Sequence, residues 1–79
     1  MVCNYEIKGP ESTAKDGEFI YLTLDKLDGV TVSVAIGTAI TDIQSVCKPH
    51  AGETLIARYP EKFFLSFQAT GNLVAKVEL

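Results

Sequence analysis

The stretch Glu18–Gly37, EFIYLTLDKLDGVTVSVAIG, carries the most regular alternation in the chain and decides the fold class. Val30, Val32, Val34 and Ile36 alternate with Thr31, Ser33, Ala35 and Gly37. That period of two marks a strand with one buried face and one lighter face. Upstream, Ile20, Leu22 and Leu24 share one face of another strand, with Phe19, Tyr21 and Thr23 on the other. The turn between them sets the register. A two-residue Asp28-Gly29 turn would put the two apolar sets on opposite faces. A three-residue Leu27-Asp28-Gly29 loop, with the glycine left-handed, pairs Leu24 with Val32, Leu22 with Val34 and Ile20 with Ile36. The second register collects the aliphatic side chains, so the stretch is expected to be a core hairpin. Phe19 and Tyr21 are then left outside, beside Ala35 and Ser33.

Outward from this stretch, Val2–Lys8 alternates Cys3, Tyr5 and Ile7 against Asn4, Glu6 and Lys8, a half-buried first strand that ends at Gly9-Pro10. Glu11–Gly17 has turn residues without apolar periodicity and is expected to be a loop. From Thr38 the period changes. Ala39, Ile40, Ile43, Val46 and Cys47 recur at three and four, which predicts a short amphipathic helix stopped by Pro49. Thr41-Asp42-Ile43-Gln44 has capping-box spacing at its start, and Lys48 suits its end. Thr54–Tyr59 and Phe63–Ala69 alternate again around Pro60-Glu61-Lys62, aligning Tyr59 with Phe63, Ala57 with Leu65 and Leu55 with Phe67. A Thr70-Gly71-Asn72 turn then aligns Ala69 with Leu73 and Phe67 with Ala75. The expected architecture is mainly β, three strands, one short helix and three more strands, in a single domain over residues 1–79.

Composition narrows the function classes. At 79 residues the chain buries only about 60% of its unfolded surface, so its core is small. With 47% hydrophobic and 22% charged residues it is globular, neither disordered nor fibrous. No apolar run reaches the roughly 18 residues of a membrane span, and the first residues have no secretory pattern, so the expected location is cytoplasmic. The net charge of −3 argues against broad phosphate neutralisation. Cys3 and Cys47 do not make a disulfide framework and read as free thiols.

Five strands with a helix between the third and fourth is the order of the OB-fold, a small partly open barrel, here with an added strand. Asn4, Gly9, Gly17-Glu18, Gly29, the Val32–Ile36 alternation, Pro49–Glu53 (PHAGE) and Arg58-Tyr59-Pro60-Glu61 carry a resemblance to TOBE or Mop-type OB-like domains over residues 4–66. That resemblance implies an oxyanion-binding module of the molybdate type. The family's Ser-Ala-Arg-Asn start is represented only by Asn4, so a ligand role carries over to Arg58 alone. Lys15-Asp16-Gly17 before Phe19 and Tyr21, together with Ala51-Gly52, is similar to the small single-stranded DNA-binding proteins of filamentous phages, which are also OB-like.

The candidate binding residues are therefore Phe19, Tyr21, Ser33, Ala35, Lys15 and Arg58, with Tyr59 and Phe64 as further aromatics. Exposed aromatics on an OB-like face stack bases, while covered ones belong to a second small core. Cys47 and His50 have half of a metal-site spacing without a second pair, and no metal or other cofactor is expected. Ser12, Thr13, Ser33 and Ser66 lack a neighbouring histidine and aspartate pattern in sequence, and although folding could bring Asp42 near His50, catalysis is not expected. Acids at turns and the lysines Lys8, Lys15, Lys26, Lys62 and Lys76, which alternate outward or lie in loops, read as solvated surface by default. The leading expectation is a non-catalytic module, such as a phage- or plasmid-type inhibitor or accessory subunit. It would bind a protein partner or a copy of itself through Phe19 and Tyr21. Single-stranded nucleic acid and an oxyanion are the alternative ligands.

Overall fold

A computed structural model describes residues 2–27, 29, 31–68 and 74–79, with the side chains of 2–4 and 68 left aside. The described residues form strands β1 (Val2–Ile7), β2 (Phe19–Lys26), β3 (Val32–Ala39), β4 (Asp42–Cys47), β5 (Thr54–Arg58), β6 (Lys62–Gln68) and β7 (Val74–Glu78), with one 3-10 turn at Gly9–Ser12. The mainly β class expected from the alternation is observed. Among the described residues no helix is long and apolar enough to cross a membrane.

All ladders are antiparallel, and they build two sheets: β1-β6-β3-β4 and β5-β2-β7. The chain changes sheet at every connection except the one between β3 and β4. As a result β2 pairs with β5, setting Ile20 opposite Ala57 and Leu22 opposite Leu55. In the other sheet β3 pairs with β6, setting Val32 opposite Phe67, Val34 opposite Leu65 and Ile36 opposite Phe63. These inward rows meet as one core in which Leu22, Leu24, Val34 and Phe63 are fully buried. The arrangement is a sandwich, with each sheet covering the other's apolar face.

Expectations about strand pairing and architecture are corrected. The β2–β3 hairpin, with Leu24 against Val32, does not form, because the two strands lie in different sheets. Their apolar faces still converge, but across the core instead of along one ladder. A single sheet would have left that aliphatic face without a cover; the second sheet removes it from water, at roughly 1.5–3 kcal/mol for each large side chain. The alignments of Ala57 with Leu65 and of Phe67 with Ala75 fail for the same reason. The OB-like barrel, which needs β2 beside β3, gives way to two sheets with no ladder between them among the described residues. Gly29 does take the left-handed conformation expected of it, with φ 81°. Asp28 and the Thr70-Gly71-Asn72 turn lie outside the described residues.

The helix expected from Thr38 to Lys48 is instead the tip of a hairpin followed by β4, an edge strand paired with β3. Thr38, Ile40, Thr41, Ile43 and Val46 are β-branched, which favours a pleated strand, and an isolated helix of three turns is marginal in water. Pairing with β3 satisfies one side of the β4 backbone and turns Cys47 toward the core opposite Val34. The ladder shifts register on both sides of Gly37. There the strands approach so closely that a Cβ on Gly37 would meet the Asp42 carbonyl oxygen and lie 2.8 Å from the Ile43 Cα. Thr41 and Gln44 therefore cap no helix. Thr38 Oγ1 donates to Asp42 Oδ2 at 2.9 Å and Gln44 Nε2 to Asp42 Oδ1 at 3.2 Å, closing the hairpin tip.

Candidate functional site

Because β2 and β3 lie in opposite sheets, the expected site residues divide between two outer faces. On the three-stranded sheet, Phe19 sits opposite Arg58, and Tyr21 opposite Ile56 on one side and Glu78 on the other. The Arg58 guanidinium carbon lies 4.8 Å from the centre of the Phe19 ring, a cation–π contact that holds both side chains over the sheet. Phe19 is 47% exposed and Ile56 56%, while Tyr21 is half-buried between its neighbours. Further along, the Thr23 and Thr54 hydroxyls hydrogen-bond at 3.0 Å, and Lys76 pairs with Glu78 at 3.1 Å.

The loop carrying Lys15 is tied to the Phe19 end of this face. The Gly17 N–H donates to the Tyr59 carbonyl at 2.7 Å, the Tyr59 N–H to the Glu18 carbonyl at 2.9 Å, and the Glu18 N–H to the Lys15 carbonyl at 2.9 Å. The Arg58 N–H donates to Glu61 Oε1 at 2.8 Å, which anchors the end of β5. Phe19, Tyr21, Arg58 and the Lys15 loop are thus brought together. Ile56 completes the patch. Its place was legible in the Thr54-Ile56-Arg58 alternation, but it reads as an ordinary surface position until β5 is paired with β2.

Ser33 and Ala35 belong elsewhere. On the outer face of the four-stranded sheet, Ser33 lies opposite Ser66 and Ala35 opposite Phe64, with Val46 on the far side of Ala35. These small residues form a depression, walled by the Thr38–Ile40 tip and by β1, with a volume of about 510 Å³. Lys62 stands at its rim with Nζ 3.0 Å from Glu6 Oε1 and 3.9 Å from Glu11 Oε1. The hydrogen bond to Glu6 and the two carboxylate charges raise the Lys62 pKa. Burial raises that of Glu11, with the neighbouring Lys62 offsetting part of the effect. Phe64 was expected as a candidate aromatic; Glu6, Lys62 and Ile40 were not, since their convergence depends on β1 and β3 flanking β6.

The remaining candidates stand apart from both faces. The Cys47 thiol is free and contacts the Val34 carbonyl at 3.7 Å. Burial, and then the nearby Glu53 charge, push its pKa up. The exposed His50 has its backbone N–H 3.2 Å from Glu53 Oε1. Asp42 is engaged by Thr38 and Gln44 in the hairpin tip. No family model, curated protein or solved structure matches the chain.

Proposed function

We propose that this is a non-catalytic binding module that engages a protein partner through the outer face of the three-stranded sheet. The observation that carries the reading is the exposure of Phe19 and Ile56 on a rigid ladder, flanked by Tyr21 and by Arg58 stacked on Phe19. Aromatic side chains and arginine are the residues that dominate protein interfaces, because they bury large areas at little cost in conformational freedom. Here the Phe19–Arg58 contact orders both side chains before any partner arrives. An accessory subunit or small inhibitor would work in this way, and the partner is another protein or a second copy of this chain.

The test compares the wild-type chain with a Phe19→Ala/Ile56→Ala variant by affinity capture from host extract and by light scattering for self-association. The variant should lose a captured protein, or a dimer, with an unchanged melting temperature. Equal capture and equal mass for the two proteins would refute the reading.

Single-stranded nucleic acid is the second reading, favoured by the accessible Phe19 ring with Arg58 beside it and the Lys15 loop at the same end. The net charge of −3 weighs against it. Salt-sensitive quenching of tyrosine fluorescence by oligo-dT would move the assignment there. The OB-like reading with an oxyanion ligand rests on Arg58 alone, and that guanidinium is already stacked on Phe19.

A further inference from the structure

The depression on the four-stranded sheet lies on the face opposite the proposed protein-binding surface and is not used by it. Its volume of about 510 Å³ falls within the range of small-ligand sites. The floor is apolar, made by Phe64 and Ala35, and the exposed Ile40 adds an apolar wall at the hairpin tip. Around it stand the hydroxyls of Ser33 and Ser66, with the Thr38 hydroxyl already donating to Asp42, and the Glu6–Lys62 pair closes one end.

This lining discriminates among ligand classes. A cationic ligand has to compete with Lys62 for Glu6, and an anionic one with Glu6 for Lys62. A wholly apolar ligand would strip water from the Ser33 and Ser66 hydroxyls and an ion pair while returning no hydrogen bond, and unsatisfied polar groups are costly. A neutral ligand with a C–H face and a dense rim of hydroxyls meets none of these penalties. Its C–H face packs on the electron-rich face of Phe64. Its hydroxyls, each both donor and acceptor, fit the serines, the second Glu6 oxygen and the spare ammonium protons of Lys62. Glu6 and Lys62 each have about a third of their side-chain surface exposed, so both remain accessible from the depression.

We infer that this depression binds a neutral saccharide unit, with Phe64 as the stacking platform and Ser33, Ser66 and the Glu6–Lys62 pair as hydrogen-bonding groups. The chain then joins a saccharide on one sheet to a protein on the other.

An amide NMR titration of the full chain with glucose, galactose, mannose and N-acetylglucosamine tests this, with benzylamine and benzoate as charged controls. At least one saccharide should shift the Ser33, Ala35, Phe64 and Ser66 amides saturably, and a Ser33→Ala/Ser66→Ala variant should bind it about tenfold more weakly with its remaining spectrum unchanged. Phe64→Leu should also weaken binding, and the serine variant keeps the test decisive where Phe64→Leu fails to fold. The inference is overturned if no saccharide gives a saturable shift at tens of millimolar. It is also overturned if the serine variant binds as tightly as wild type, or if only a charged control occupies the site. Variants at Phe19 and Ile56 should leave these shifts unchanged, which separates this result from that of the protein-binding face.

Discussion

Replacing Gly37 by alanine should destabilise the domain, and the cost follows from the crossing of β3 and β4. The added Cβ meets the Asp42 carbonyl oxygen and comes within 2.8 Å of the Ile43 Cα. Both obstacles are backbone atoms, so no side-chain rotation relieves them and β4 has to move away from β3. Overpacking of this kind costs about 1–3 kcal/mol. Gly37 does not have a left-handed φ, so alanine adds no strain of its own and recovers about 0.4–1 kcal/mol by restricting the unfolded chain. The net expectation is a loss of about 1–2 kcal/mol. For a chain of 79 residues, with a total stability of about 4–12 kcal/mol, that corresponds to a Tm lower by about 5–15 °C.

Urea unfolding followed by circular dichroism measures the change, with an unaltered slope marking a true loss of stability. Two variants calibrate it. Leu22→Ala, between the sheets and fully buried, should lose about 3–5 kcal/mol. Ile40→Ala, 67% exposed at the hairpin tip, should stay within about 0.5 kcal/mol. A Gly37→Ala protein as stable as wild type, or more so, would refute the close β3–β4 approach.

Two further predictions concern titrating groups. Burial raises the Glu11 pKa above its usual 4.5, so the folded state holds that proton more tightly than the unfolded chain; stability from this group therefore falls as pH rises from about 4.5 through the higher folded value. Glu11→Gln should remove that decline relative to wild type in urea midpoints measured across the window, and an identical pH profile in the two proteins would contradict the burial of the carboxyl. The Cys47 thiol, half-buried and with its pKa raised, should react with a disulfide reagent more slowly in the folded protein than in urea at mildly alkaline pH. Peptide mass spectrometry locates the modification, and equal rates at Cys47 in both states would show the thiol to be open.

Which side of each strand is buried was legible in the residues. Ile20, Leu22 and Leu24, then Val32, Val34 and Ile36, then Phe63 and Leu65, were all expected to face a core and do so. Phe19 was legible as an outer residue for the same reason. The helix over Thr38–Lys48 was not a sound reading. Over so short a span, apolar residues at three and four also fit a strand with Ile43, Ser45 and Cys47 on one face, and the β-branched side chains were the stronger signal. The proposed binding surface was half legible. Phe19, Tyr21 and Arg58 do share a face, whereas Ser33 and Ala35, expected beside them, look out from the other sheet.

The sequence by itself determined a small acidic β domain and the inward and outward sides of its strands, because side-chain alternation is a local property of extended backbone. Only the tertiary structure decided which strands are neighbours. A period of two is equally satisfied when consecutive strands pair in one ladder and when they face each other across a core. The chain takes the second course because two sheets can cover each other. That choice alone joins Phe19 to Arg58 and sends Ser33 and Ala35 to a depression shared with Phe64, Ser66 and Lys62.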